Sequence, residues 1–246
     1  MRLTVLGSGS SASGKGRYPS GYIVSHAGTD IILDLGFGCL KQLQRAGFDF
    51  TKINSLFFSH FHSDHINDLS AFCFSRFVMH EFLGTPAKFS IFGPKGIKKF
   101  FKGLSLLYPQ LKKTRASVKE LSSRKEKAGK FTVHAIKVPH VGNSLAISVS
   151  ASGKRIVYGG DCGYNKALAE FAKDADLLIL ECSVLKRVRH HMTAEQAGQI
   201  AAAANAKRLM LTHFYPETDK VESRGKAKRF FNGRVLLARD LMKVSI

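Results

Sequence analysis

The sequence has few cysteines and no closely spaced pair of them. Four cysteines occur in 246 residues, and none belongs to a C-x-x-C pair: Cys39, Cys73, Cys162 and Cys182. A chain of this length can bury a core without disulfide bonds, and the wide spacing does not match a zinc or redox motif. We therefore expect four buried, reduced thiols in a cytoplasmic protein.

Long apolar runs are also absent. No segment reaches the roughly 18–20 apolar residues needed to cross a bilayer. The opening sequence MRLTVLGSGSS lacks the apolar region and cleavage site of a secretory signal. We expect a first strand and turn here, a cytoplasmic location, and no membrane among the partners.

Acidic residues are scarce relative to basic ones. The sequence contains 18 Asp and Glu and 38 Lys and Arg, which gives a net charge of +20. The segment from Lys95 to Lys130 alone contains twelve Lys or Arg and two Glu, and a second basic stretch runs from Lys220 to Arg234. Such charge favours anionic partners, including RNA. A solvated lysine-rich surface explains the composition equally well.

Apolar, β-rich segments recur along the whole chain and predict one α/β domain, residues 1–246. The early segments follow each other closely, as in hairpins, whereas later ones alternate with helical patterns, which indicates an α/β sandwich. Thr193 and Gln196 form the pattern of a capping box that opens an alanine-rich helix. The charged segment from Lys112 to Lys130 is predicted to be a mobile surface excursion. The β-rich segments are RLTVL, GYIVS, DIILDLG, SLFFSH, KFSIFG, FTVHAIKVPH, SLAISVS, RIVYGGD, LLILEC, RLMLTH and RVLLA.

Four metal-type side chains follow one of these apolar strands. The sequence SLFFSHFHSDH places His60, His62, Asp64 and His65 within six residues. Residues i and i+2 at a strand end can point the same way, so His60 and His62 can bind one ion. Four ligands this close crowd a single tetrahedral site but suit two neighbouring ions.

Three further metal-type residues each end a predicted strand. They are His140 in IKVPHVGNS, Asp161 in IVYGGDCGY and His213 in LMLTHFYP. This repeated placement indicates loops that converge on one edge of the sheets. The sequence therefore predicts a two-metal site there.

The HFHSDH segment matches the HxHxDH signature, and the chain resembles the metallo-β-lactamase fold over nearly its whole length. The resemblance implies a four-layer αββα sandwich with two divalent metal ions, by default Zn²⁺, with manganese or iron as alternatives. It implies a first ion on His60, His62 and His140, and a second on Asp64, His65 and His213. Asp161 would bridge them, and Asp34 in DIILDLG would support the site structurally.

Within this fold the chain is most similar to ribonuclease Z and its phosphodiesterase relatives. The segment DLLILECS resembles their HEAT box, with Glu181 as the acid, and HHMTAEQAGQIA resembles their HST box, with His191 as the histidine. The resemblance implies that Glu181 orients His191, which contacts phosphate or protonates the leaving oxygen. The opening loop is similar to their RNA-binding loop at Lys15 and Arg17. Asp64, beside the attacking water, would accept a hydrogen bond or a proton.

Two departures weaken a tRNA-specific interpretation. Tyr18 stands where the RNA-binding loop has asparagine, and Ala12 or Ser13 where it has proline. The long Gly/Pro-rich arm that grips tRNA has no counterpart in the sequence. These differences favour a smaller phosphodiester substrate, although Lys95 to Lys130 could bind RNA instead. The ribonuclease Z group is commonly dimeric, so the resemblance also suggests a homodimer.

Three functional hypotheses follow. The first is a metal-dependent phosphodiesterase or ribonuclease Z-like endonuclease. The second is a hydrolase of esters, thioesters or lactones, which would use the same ligands without needing His191. The third is a nucleic-acid-binding protein with a vestigial site, against which the complete ligand set argues.

Overall fold

The structure, a computed structural model, describes residues 1–12, 14, 16–218 and 222–246. Two seven-stranded sheets pack face to face between two layers of helices. This arrangement confirms the predicted αββα sandwich.

The strands divide between the sheets almost in chain order. The first sheet has the order β14-β1-β2-β3-β4-β5-β6, and the second has the order β13-β12-β11-β10-β9-β8-β7. The strands are β1 Arg2–Gly7, β2 Gly21–His26, β3 Thr29–Leu35, β4 Ser55–Phe57, β5 Phe89–Gly93, β6 Ala116–Glu120, β7 Glu126–Ala128, β8 Phe131–Lys137, β9 Leu145–Ala151, β10 Lys154–Tyr158, β11 Leu177–Glu181, β12 Arg208–Thr212, β13 Arg234–Leu237 and β14 Lys243–Ser245.

Each sheet combines antiparallel and parallel pairs. Strands β1, β2 and β3 pair antiparallel, and β3 to β6 pair parallel. In the second sheet β7 to β10 pair antiparallel, and β10 to β13 pair parallel. The closely spaced early segments therefore form hairpins, and the segments that alternate with helices form parallel strands, as expected.

The part of the chain that the structure describes contains seven α-helices, most of which cover the outer faces of the two sheets. They are α1 Cys39–Arg45, α2 Ser63–Ile66, α3 Leu69–Leu83, α4 Ile97–Leu107, α5 Lys166–Phe171, α6 Ala194–Ala203 and α7 Glu222–Lys228. Apolar residues of α1, α3 and α4 pack on the first sheet, whereas α6 and α7 contact β11 to β13 of the second. None of the helices in the described residues is long and apolar enough to cross a bilayer.

Strands of the first sheet bury both faces, which explains their continuous apolar sequences. Successive side chains of a strand point to opposite faces. Ile23 on β2 accordingly joins the core under the helices, and the next residue, Val24, joins the core between the sheets. The predicted capping box is confirmed, because Thr193 and Gln196 each bond the backbone of the other.

The prediction of a mobile excursion from Lys112 to Lys130 is wrong. This segment contains β6 and β7, which form the outermost strands of the first and second sheets. Each strand pairs along one edge only, and exposed positions such as Lys119 and Lys127 carry charge. Lysine on an edge strand discourages pairing with another chain, and this gives a folded segment the composition of a loop.

A buried arginine ties α3 to the loops beside it. Arg76 is 1% exposed and donates to the carbonyls of Phe50, Thr51, Ile53, Pro86 and Lys88. We expect Arg76→Met to lower the free energy of unfolding by about 3–5 kcal/mol, because it leaves buried carbonyls without donors. The midpoint of urea unfolding measures this change. The exposed Arg45 provides the control, since Arg45→Met should change stability by less than about 0.5 kcal/mol. Equal midpoints for the two variants would contradict the role given to Arg76.

Candidate metal centre

The HFHSDH segment leaves the first sheet at the end of β4 and turns into α2. His60, Asp64 and His65 are buried, whereas His62 is exposed at the start of the helix. Gly160, after β10, adopts a φ of +59°, and a Cβ there would lie 2.9 Å from the Cβ of Ser59. This close approach brings the end of the second sheet against the HFHSDH segment.

The first group of metal-type side chains contains His60, His62, His140 and Asp161. One candidate ligand atom from each lies within 4.8 Å of the others. His62 Nδ1 is 3.2 Å from His140 Nε2. The Asp161 Oδ2 atom is 3.9 Å from His60 Nε2 and 3.8 Å from His140 Nε2.

The second group contains Asp64, His65 and His213. His213 Nε2 lies 3.2 Å from both His65 Nε2 and Asp64 Oδ2. Asp161 also faces this group, with Oδ1 3.3 Å from His65 Nε2 and Oδ2 3.3 Å from His213 Nε2. All seven predicted ligands therefore lie together, and the carboxylate of Asp161 lies between the two groups.

Neighbouring groups fix the orientation of the imidazoles. His65 Nδ1 is 2.7 Å from Asp34 Oδ2, His140 Nδ1 is 2.8 Å from the carbonyl of His190, and His213 Nδ1 is 2.9 Å from Ser183 Oγ. A ring that donates from Nδ1 keeps the lone pair on Nε2. In their neutral forms, His65 and His140 therefore point the Nε2 lone pair into the cluster.

The donor set fits divalent metal ions on three observations. Nε2 atoms of His65 and His213 face each other at 3.2 Å, an approach that two lone pairs tolerate when a cation lies close to both. Among the described residues, His60 Nε2 is buried and has no hydrogen-bond partner. Imidazole nitrogens and carboxylate oxygens are the ligands that zinc, iron and manganese take in proteins.

Burial would lower the pKa of His65, but Asp161 and Asp34 outweigh it and raise that pKa well above its usual value. Burial, with the charge of His65, lowers the pKa of His60 to about 2, and burial lowers the pKa of His140 to about 4. Burial would raise the pKa of Asp161, but His213 and His65 outweigh it and hold that pKa well below its usual range. Neutral imidazoles and ionised carboxylates are the forms that bind metals.

Asp34 holds the two sheets together beneath the cluster. Its carboxylate accepts hydrogen bonds from the backbone and side chain of Ser59, from His65 and from Tyr158, all at 2.7 Å. Asp34 and His213 both adopt positive φ angles, 54° and 58°, a conformation that costs energy outside glycine and concentrates at functional sites. Ser59, Tyr158 and Ser183 were not identified from the sequence. Ser59 and Ser183 at least lie next to the motifs, whereas Tyr158 carries no sequence signal.

Glu181 and His191 form a pair beside the cluster. His191 Nδ1 lies 3.0 Å from both oxygens of Glu181, and Glu181 also accepts the backbone N–H of Cys162 at 2.7 Å. Candidate ligand atoms of Glu181, His191 and Asp161 lie within 4.8 Å of one another. Burial would lower the pKa of His191, but the hydrogen bond and charge of Glu181 outweigh it and raise that pKa.

The opening loop reaches the cluster through its backbone. Ser11 donates its N–H to Asp64 Oδ2 at 2.9 Å. Arg17 donates to Ser8 Oγ at 2.6 Å and to the carbonyl of Ala238 at 2.7 Å, and its guanidinium lies over the Phe214 ring. These contacts anchor the loop. Lys15 lies outside the described residues.

A pocket of about 310 Å³ opens beside His191. Its other lining residues come from the loop after β11 and the loop after β12: Ser183, Val184, Leu185, Tyr215, Glu217 and Thr218. The sequence contains no motif that identifies this pocket. Its position next to the Glu181–His191 pair offers space for the part of a substrate that flanks the reacting group.

Comparison with known proteins places the chain among metallo-hydrolases. The model of the Anti-Pycsar protein Apyc1 family matches residues 1–236. The probable metallo-hydrolase YhfI of Bacillus subtilis is 29% identical over 251 residues and 98% of each chain. A ribonuclease Z of Methanosarcina mazei is 27% identical over 304 residues, 100% of this chain and 98% of its own.

Solved structures support the metallo-β-lactamase fold. The crystal structure of YhfI, a metallo-β-lactamase fold protein, superposes with a TM-score of 0.89 at 26% identity, covering 99% of this chain and 98% of the other. The short form of human tRNase Z gives a TM-score of 0.79 at 23% identity, covering 100% and 99%, which supports the same fold. The chain therefore belongs to the Anti-Pycsar protein Apyc1 family, among the hydrolase relatives that share the metallo-β-lactamase fold with ribonuclease Z.

Proposed function

We propose that the protein is a metal-dependent phosphodiesterase that acts on small phosphodiesters. The Glu181–His191 pair carries this proposal. A phosphodiester is anionic and expels an alkoxide, and a protonated histidine can both pair with that charge and donate the proton. A neutral ester or lactone offers no such anionic group. The position of His191 beside Asp161 suits that task.

The two groups around Asp161 are suited to a dinuclear centre. One ion would be held by His60, His62 and His140. The other would be held by Asp64, His65 and His213, and Asp161 would contact both ions. Zinc is the expected metal, with manganese or iron as alternatives that the same donors accept. When bound, such ions supply hydroxide at neutral pH and neutralise charge on phosphoryl oxygens.

Asp64 is suited to orient the attacking water. The Ser11 amide and His213 both contact its Oδ2 atom, which fixes the carboxylate. Burial would raise the pKa of Asp64, but the neighbouring His213 and His65 outweigh it and lower that pKa. Asp64 is therefore ionised at neutral pH and accepts a hydrogen bond from the water.

His191 is suited to protonate the leaving oxygen. Its Nδ1 faces both oxygens of Glu181, so the opposite nitrogen, Nε2, is the one available to a substrate. The raised pKa keeps this nitrogen protonated to a higher pH than in a free histidine. The same N–H stabilises negative charge on a phosphoryl oxygen before the proton moves.

The size of the chain favours a small substrate over tRNA. The alignment with the Methanosarcina mazei ribonuclease Z has 304 positions, against 246 residues in this chain, so about 60 positions have no counterpart here. The alignment with YhfI has 251 positions and covers 98% of both chains. A pocket of about 310 Å³ beside His191 has the volume for a group of nucleoside size rather than for a folded RNA.

The test compares three substrates with the metal-loaded protein: a 3′-extended tRNA precursor, 3′,5′-cyclic mononucleotides and an aryl carboxylic ester. Asp64→Ala, which removes a ligand and the water contact, measures contaminating activity. We expect hydrolysis of the cyclic diesters that exceeds hydrolysis of the tRNA precursor. Site-specific cleavage of the tRNA alone would replace the small-substrate proposal with an endonuclease, and turnover of the ester alone would contradict a phosphodiesterase.

A further inference from the structure

Five exposed apolar side chains lie at the C-terminal ends of α3 and α4. They are Phe82, Leu83, Leu106, Leu107 and Tyr108, with exposed fractions of 79%, 67%, 65%, 77% and 46%. We call them the tip patch. Large side chains this exposed are costly to leave in water, and a cluster of them marks an interaction site.

The topology places the tip patch far from the metal centre. Each helix follows a parallel strand of the first sheet, α3 after β4 and α4 after β5, and therefore runs back from the edge that carries HFHSDH. Arg76 on α3 accordingly bonds the carbonyls of Thr51 and Ile53, before β4 begins. The 3-10 helix Pro109–Lys113 contacts both α3 and α4, and the C-terminal ends of both helices lie toward the sheet edge opposite the metal centre.

Basic residues lie close to the tip patch. Without the buried Arg76, the sequence between Leu69 and Arg115 has eight Lys or Arg and a single acidic residue, Glu81. Lys98 and Lys102 precede Leu106 by eight and four residues on α4 and share its exposed face. Lys112 and Lys113 follow the patch directly and are exposed.

We propose that the tip patch binds the surface of an anionic lipid bilayer. The apolar side chains would enter the boundary between headgroups and acyl chains, and the lysines would contact anionic headgroups, as in interfacial amphipathic helices. The expectation that the protein has no membrane partner rested on the lack of a spanning segment. Binding at the surface requires no such segment.

A second copy of the chain fits the tip patch less well. A two-fold contact would bring the lysines beside the patch against those of the second copy, and the like charges would repel each other. RNA fits less well too, because three of the five side chains, Leu83, Leu106 and Leu107, provide no ring on which a base can stack.

Cosedimentation with lipid vesicles tests the proposal on the full chain. We expect at least about tenfold more protein on vesicles of phosphatidylcholine with phosphatidylglycerol than on phosphatidylcholine alone, because lysine contacts add to apolar insertion. The double variant F82S/L107S should lose about tenfold of that binding. Both positions are exposed, so the fold should persist. Lys98→Gln with Lys102→Gln should weaken binding mainly at low salt.

The matched control is Phe74→Ser. Phe74 is an aromatic residue of α3, 45% exposed, about two turns before Phe82, and it lies outside the tip patch. The proposal expects unchanged vesicle binding for this variant. The proposal is overturned if the wild-type protein does not bind anionic vesicles, or if Phe74→Ser loses as much vesicle binding as F82S/L107S. It is also overturned if F82S/L107S converts a dimer to a monomer without changing vesicle binding. Loss of poly(U) binding in place of vesicle binding would overturn it in favour of RNA.

Discussion

Replacing Asp161 with asparagine is expected to remove both the bound metal and hydrolysis. Asp161 contacts His60 and His140 in one group and His65 and His213 in the other. An amide presents a neutral oxygen and an N–H donor in place of two anionic oxygens, so the two proposed ions would both lose the ligand that they share. We expect less than one metal ion per chain by elemental analysis and a fall in kcat/KM of at least about a thousandfold, or about 4 kcal/mol.

The control for this variant is Asp176→Asn. Asp176 is also buried, 5% exposed, but it pairs with Lys207 at 2.8 Å, remote from the metal-type residues. The Asp176→Asn variant should keep full metal content and activity, with a modest loss of stability. The Asp161 variant should also unfold at a lower temperature, because metal that binds only the folded state stabilises it. Full activity in Asp161→Asn would exclude the proposed metal centre.

Replacing His191 with glutamine is expected to impair catalysis in a way that depends on the leaving group. A diester that releases an alkoxide needs a proton, so kcat should fall about 10²–10⁴-fold. A p-nitrophenolate leaves without protonation, so an aryl diester should lose less than about tenfold. Because the acid form of His191 is required and its pKa is raised, wild-type activity should fall as pH rises through that pKa. The variant should lack this alkaline decline on the alkyl substrate.

His190→Gln is the matched control for this experiment. His190 is exposed and supports His140 through its backbone carbonyl, which the substitution retains. Activity should therefore stay within a few-fold of wild type on both substrates. Metal content measured alongside separates proton transfer from metal loss in the His191 variant. Equal losses on the alkyl and aryl diesters, with metal retained, would contradict a role for His191 as the acid.

The sequence predicted the sandwich and the position of the cluster because both depend on local patterns. Apolar segments identified eleven of the strands, since strands buried on both faces lack polar interruptions. The metal-type residues ended these segments, and the ends of parallel strands meet at one edge of a sheet. His60, Asp161 and His213 therefore lie together although they come from distant parts of the chain.

The features that the sequence did not predict depend on long-range contacts. Strands β6 and β7 have the composition of a loop, and only their places at the sheet edges give them partners. Tyr158 contributes a hydroxyl to Asp34 from the opposite sheet, and nothing near Tyr158 in sequence signals that contact. The β14 strand has only three residues and pairs with β1 from the far end of the chain, so no local periodicity identifies it.

The convergence of both sheets on one cluster has a consequence for biosynthesis. His65 and His213 face each other across 148 residues of sequence, and Asp161 belongs to the later part. A ribosome that adds roughly 5–20 residues per second would synthesise these two histidines about 7–30 s apart. During that interval the HFHSDH segment is exposed without its later ligands, open to copper or other tightly binding ions that the finished site would discriminate against by geometry. Selection of the metal by the geometry of the complete site is therefore available only after the second sheet has folded.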